Sequence, residues 1–122
     1  MIGYVTIGTN DIKASAKFYD ALLAELGATR FMEADTFIAW ATAPNQPGLA
    51  ISKPADGKVA TVGNGVMVAL QAESPQQVDA LYAKAIELGA TDEGPAGPRG
   101  DSFYAGYFRD LDGNKLNFFY MT

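Results

Sequence analysis

The sequence predicts an α+β fold in which two tandem βαβββ modules form a curved mixed sheet around a cleft. Three observations carry that prediction. The string Glu25-Leu26-Gly27-Ala28-Thr29 recurs as Glu87-Leu88-Gly89-Ala90-Thr91, half of the 122-residue chain later. A repeat at that period marks one supersecondary unit used twice. Each copy closes a run with helical periodicity and opens one with strand character, so it marks the same joint in each half. Near the C-terminus, Asp112-Gly113-Asn114 separates two apolar alternating runs, which is the signature of a hairpin. The length fits a single domain. Within it we read module one as residues 1–52, a linker as 53–63 and module two as 64–122.

Taken in order, Tyr4 to Thr9 is β-branched and loosely alternating, so it reads as the first strand. Asn10 and Asp11 are good helix caps. Phe18, Tyr19, Leu22, Leu23 and Leu26 then make an apolar stripe, with Lys13, Lys17, Asp20 and Glu25 elsewhere on the surface. Gly27 stands where a left-handed residue ends the helix. Strands are expected over 28–32, 36–42 and 49–52. Glu33-Ala34-Asp35 separates the first two, and the turn Pro44 to Gly48 separates the last two. Residues 53–63, with Lys53-Pro54, Asp56-Gly57 and Gly63, show neither period.

The second half repeats the plan. Val66 to Leu70 is a strand, and Ser74-Pro75-Gln76-Gln77 is a helix start with a cap, a proline at the first position and a glutamine to complete the capping box. Val78, Leu81, Tyr82, Ala85 and Leu88 form the buried stripe, and Gly89 ends the helix. Strands follow near 91–93, at 103–109 and at 115–120. The segment from Gly94 to Ser102 has three Gly and two Pro and reads as a loop.

Composition excludes more than it selects. There is no cysteine, so there are no disulfides and no thiol chemistry, in keeping with a reducing compartment. There is no histidine, which removes the commonest metal ligand and the commonest general base near neutral pH. The formal charge is −5 and the nine Lys and Arg are scattered, which argues against nucleic-acid binding. No stretch approaches the ~18 apolar residues of a membrane span. The opening Met1 to Tyr4 has no basic segment, so no signal peptide is expected, and a cytoplasmic location is the simplest reading.

Together these features resemble the vicinal oxygen chelate superfamily, which groups glyoxalase I, bleomycin-resistance proteins and extradiol dioxygenases. The carriers are the paired βαβββ pattern, Ser15 with Phe18-Tyr19 on the first helix, Val78-Asp79 on the second helix with Gly89 at its end, and Arg109-Asp110-Leu111-Asp112-Gly113-Asn114. The resemblance covers essentially the whole chain. It implies metal ligands, usually His and Glu, at four places. The matching positions here are Tyr4, Met67, Asn117 and the stretch Ala50 to Ser52. Tyr, Met and Asn do not make a site for Zn²⁺, Ni²⁺ or Fe²⁺. The resemblance therefore points to the metal-free branch: no metal, no cofactor, a small-molecule ligand with a sequestration or resistance role, and a homodimer. The alternative is a lyase or isomerase of the glyoxalase I type, with Glu33 or Asp35 as base or with a hard cation held by carboxylates.

The expected ligand-binding residues are Tyr4, Trp40, Met67, Tyr107 and Asn117. Tyr4 and Asn117 offer hydrogen bonds and Met67 an adaptable apolar contact. Trp40 has a competing reading as core. In the aromatic C-terminal hairpin, Phe103, Ala105, Tyr107 and Arg109 share one face and Tyr104, Gly106 and Phe108 the other; alternation leaves open which one faces a ligand. Arg109 clamps an anion if it faces the cleft and otherwise pairs with Asp110 or Asp112, the favoured reading. Arg99 is a lid residue or, more simply, a solvated loop charge. Asp110 to Asn114 is read as a turn and not a calcium loop, because the twelfth position is Met121 rather than Glu.

Overall fold

The structure is a computed structural model that describes residues 1–122. Its order is β1 (Tyr4–Gly8), α1 (Ile12–Ala24), β2 (Thr29–Ala34), β3 (Phe37–Ala41), β4 (Gly48–Ser52), β5 (Val68–Gln71), α2 (Pro75–Glu87), β6 (Thr91–Pro98), β7 (Phe103–Arg109) and β8 (Lys115–Met121). This is βαβββ twice. The chain divides into two compact units, Met1–Val62 and Gly63–Thr122.

In the first unit the strand order is β1-β4-β3-β2, with β1 parallel to β4 and the other pairs antiparallel. Helix α1 starts where Asp11 accepts from the Ala14 N–H at 3.1 Å. Its stripe, including Phe18, Tyr19, Leu22 and Leu23, is buried against the face that carries Ile38, Trp40, Leu49 and Ile51. Burial of each large apolar side chain contributes roughly 1.5–3 kcal/mol. On this face Arg30 spans Asp20 and Glu33 and lies 5.8 Å from the Trp40 ring centroid.

The second unit has the order β5-β8-β7-β6, with β5 parallel to β8. Ser74 caps α2 by accepting from the Gln77 N–H, while the Gln77 side chain accepts from the Glu73 N–H, one residue ahead of the cap. The α2 face of the sheet carries Phe108, Leu116 and Phe118, all fully buried. Gly106 lies beneath Tyr82: a Cβ there would stand 2.9 Å from the ring.

The repeated string forms the same cap twice. Ala28 N–H donates to the Leu23 carbonyl and Gly27 N–H to Ala24; Ala90 N–H donates to Ala85 and Gly89 N–H to Ile86. Gly27 and Gly89 have φ of 77° and 108°, the left-handed conformation such a cap needs.

Three expectations are corrected. The Gly94 to Pro98 part of the expected loop is the second half of strand β6. It pairs with β7 through two register shifts, between Asp92 and Gly94 and between Gly94 and Gly97. As an edge strand, β6 tolerates Pro95 and Pro98 where a central strand would lose ladder hydrogen bonds. Second, β5 begins at Val68 rather than Val66, because the backbone turns at Gly63 to Val66, where Val66 N–H donates to the Gly63 carbonyl. Third, Gly113 and Asn114 both tolerate positive φ and so suit a hairpin turn, yet only Gly113 takes it, at 88°. The turn closes instead on Asp110, whose carboxylate accepts from the Asp112 and Asn114 N–H groups and the Asn114 amide.

Candidate functional site

In each unit one sheet face is covered by a helix. The expected site residues sort by face. Register settles the first unit: Trp40 pairs with Leu49 and Ile38 with Ile51, which places all four under α1. Trp40 is therefore corrected from ligand residue to core. It is 2% exposed, packs 5.8 Å from Tyr19 centroid to centroid, and donates its indole N–H to Asp20 at 2.9 Å. The Arg30 guanidinium beside Asp20 holds that carboxyl below its usual range.

Tyr4 lies on the opposite face and is 56% exposed, with its ring edge-on to Phe37 at 5.9 Å. Beside it is a groove of about 500 Å³, mainly apolar, lined by Tyr4, Thr29, Phe31, Ala41, Pro44 and Gln46. Phe31 is the bulged residue of β2, and its ring lies across Gly48, where a Cβ would meet it at 2.9 Å. A 53% exposed phenylalanine held over a glycine is a pocket wall that the sequence reading did not name.

In the second unit, Tyr107 and Asn117 are cross-strand partners on the face turned away from α2. The structure thus brings these two expected residues together. That face also carries Phe103, Ala105, Arg109, Lys115 and Phe119, because Tyr104, Gly106 and Phe108 pair with Tyr120, Phe118 and Leu116 under the helix. Asn117 is 1% exposed, and its Oδ1 is the one buried side-chain polar atom without a hydrogen-bond partner. Such an atom costs ~1–3 kcal/mol unless something donates to it. Met67 is 40% exposed and sits one residue ahead of β5. Thr9 N–H meets the Ser52 carbonyl as Ala72 N–H meets that of Phe119. Counting back from those bonds puts Tyr4 and Met67 at equivalent steps of their modules.

Two cations lie over the Tyr107 ring, and a third, Arg109, shares its sheet face. The Arg99 guanidinium carbon lies 5.4 Å and the Lys115 ammonium 5.6 Å from its ring centroid. Arg109 donates to Glu93 at 2.8 Å and to the Gly113 carbonyl at 3.1 Å. That pairing replaces the expected one with Asp110 or Asp112, since alternation turns Arg109 toward β6 on this face. It holds the Glu93 carboxyl below its ordinary range, with Lys115 adding a smaller pull. Arg99 lies exposed in the bend after β6, as the solvated-charge reading expects, but its guanidinium is not loose: it donates to the carbonyls of Pro95, Gly97 and Pro98 at 2.7, 3.0 and 3.3 Å. It lies over Gly94 and Gly97, where added Cβ atoms would stand 3.3 and 3.5 Å from it. Reading β6 as a loop hid this bed; strict alternation along β8 would have put Lys115 beside Asn117.

At the positions where the resemblance implies a metal, the first unit has Tyr4 and the stretch Ala50 to Ser52, and the second has Met67 and Asn117. A phenol, a serine hydroxyl, a thioether and an amide do not fit a divalent transition metal. Nowhere do three His, Cys, Asp or Glu side chains stand close enough to hold a metal ion.

Among solved structures, a glyoxalase/bleomycin resistance protein from Albidiferax ferrireducens T118 aligns over 100% of this chain and 99% of its own, with 37% identity and a TM-score of 0.91. A glyoxalase/bleomycin resistance protein/dioxygenase family enzyme from Burkholderia phytofirmans PsJN aligns over 98% of both chains, at 18% identity and a TM-score of 0.79. A lactoylglutathione lyase from Agrobacterium tumefaciens covers 98% of this chain and 92% of its own, at 18% identity and 0.73. The last two show likeness of fold alone. No curated protein matches the chain. No helix is long and apolar enough to cross a membrane. The family model for the Glyoxalase/Bleomycin resistance protein/Dioxygenase superfamily matches residues 1–118, and on that match and the 37%-identical structure the chain belongs to this superfamily.

Proposed function

We propose that the chain is a metal-independent small-molecule-binding protein of its superfamily, acting as a cytoplasmic homodimer in sequestration or resistance. One observation carries the reading. The positions where metal-dependent relatives are expected to supply His and Glu hold Tyr4, Met67, Asn117 and the stretch Ala50 to Ser52, while the surrounding faces keep features that suit an organic ligand. Tyr4 and Phe31 border an apolar groove, and Asn117 presents a buried acceptor that nothing in the protein uses. A metal would stabilise developing negative charge on an oxygen; a phenol, a thioether and an amide instead hold a molecule by contact and hydrogen bonds. Tyr4, Met67, Tyr107 and Asn117 are the ligand-binding residues of this reading.

The test combines elemental analysis of the purified protein with a thermal-shift panel of amphipathic and aromatic compounds, run with and without divalent metals. The expected result is substoichiometric metal and ligand-dependent stabilisation that added metals leave unchanged. Tight stoichiometric metal, or chelator-sensitive turnover of the methylglyoxal–glutathione hemithioacetal, would overturn it. Light scattering tests the homodimer, which a monomer mass would refute.

A further inference from the structure

The Tyr107 face has a charge that the rest of the molecule does not share. The chain carries a formal −5, yet Arg99, Arg109 and Lys115 stand on or beside this face, where Arg109–Glu93 is the one salt bridge. Arg109 is committed to Glu93. Lys115 makes no ion pair, and Arg99 is bonded only to backbone carbonyls. Those carbonyl bonds fix the guanidinium in place without neutralising it. The glycines under it are part of the same construction: at Gly94, with φ of +152°, a side chain would be strained as well as crowded against Arg99 and Tyr107. Two cations lying over one aromatic ring, neither of them in a salt bridge, make an anion-attracting patch. Asn117, cross-strand from Tyr107, adds an independent sign of a ligand, since its buried Oδ1 requires a donor.

We propose that this face takes an organic anion: an apolar or aromatic body with an acidic group set against Arg99 and Lys115 and a hydrogen-bond donor directed at Asn117 Oδ1. The proposal rests on the small-molecule reading above and names its ligand class. The anion's oxygens take the free N–H directions of Arg99 and the ammonium of Lys115. The donor satisfies the amide oxygen. The apolar body lies along Tyr107, Phe119 and Phe103, the last two stacked at 5.5 Å.

The test uses two fluorescent probes with the same aromatic N–H core, one charged and one neutral: 1-anilinonaphthalene-8-sulfonate and N-phenyl-1-naphthylamine. The sulfonate is expected to bind about tenfold more tightly at low salt, the scale of one or two charge-assisted contacts, and to lose that advantage as salt rises. Lys115→Gln and Arg99→Gln should each weaken the sulfonate about tenfold and leave the neutral probe unchanged. Asn117→Leu should weaken both. Melting curves of all variants confirm folding, and Lys115→Glu, a half-exposed surface change, is the second variant should Arg99→Gln fail to fold. Equal binding of the two probes overturns the anion proposal and leaves the small-molecule reading standing. Binding of neither overturns both. A sulfonate preference that survives Lys115→Gln and Lys115→Glu also overturns the proposal, because the anion then sits elsewhere.

Discussion

Replacing Asn117 with leucine should make the protein more stable. The side chain is 1% exposed, and its Oδ1 has no hydrogen-bond partner. An unsatisfied buried acceptor costs about 1–3 kcal/mol, and an apolar group of similar shape removes that cost. Leucine has as many side-chain heavy atoms as asparagine and the same branching, and it would face Tyr107 and the small Ala69 across the ladder. For a chain of this length each kcal/mol moves the melting temperature by about 3–6 °C. Scanning calorimetry of the wild type, Asn117→Leu and Asn117→Ala separates the two contributions. Alanine also removes the acceptor but leaves a void, so it should melt below the leucine variant. A melting temperature for Asn117→Leu below that of the wild type would refute the reasoning, since the oxygen would then be satisfied in the free protein rather than held for a ligand.

Three further outcomes can be checked. Gly106→Ala should cost ~1–3 kcal/mol in urea unfolding, because its Cβ would stand 2.9 Å from the Tyr82 ring beneath α2. The Tyr82 hydroxyl donates to Asp92 at 2.6 Å, and burial together with that carboxylate pushes its pKa to about 12. Its phenolate should therefore appear late in an alkaline titration, a step lost in Tyr82→Phe, and the stability it contributes below pH ~10 should drain away between about 10 and 12. Asp20 has the opposite sign. Its carboxyl is held below the ordinary 3.8 by Arg30, so it stabilises the fold above that value, and the contribution is lost as pH falls through the lowered one. Urea midpoints between pH 5 and 2 should fall less steeply in Asp20→Asn.

The elements that sequence made legible are those whose signals are local. Caps at Asp11 and Ser74, glycine stops at Gly27 and Gly89 and the Asp110 to Asn114 turn each depend on neighbouring residues, and each is in place. Strand β6 was not legible, because Gly and Pro count against a strand unless its edge position is known, and that position is a tertiary fact. Trp40 misled for a related reason: mid-strand alternation gives two faces but does not say which one a helix covers. The same ambiguity hid the Tyr107 face. Once α2 is seen over Gly106, the side of every residue in β7 and β8 follows.

The twin helix caps bear on how the chain avoids folding against itself. Every strand pairs within its own half, so the search for partners is short and each half can assemble from nearby contacts. Two halves built to one plan also invite exchange, in which a strand from one is accepted by the sheet of the other. The caps cannot prevent that, since Glu-Leu-Gly-Ala-Thr is the same in both. The strands that follow the caps do differ. Thr29–Ala34 has no proline, whereas Thr91–Pro98 has two, and their missing N–H groups restrict it to a partner that leaves those nitrogens outward. The identical cap starts two outer strands of different chemistry: the prolines deny β6 a second neighbour on its open edge, and β2 has no such block.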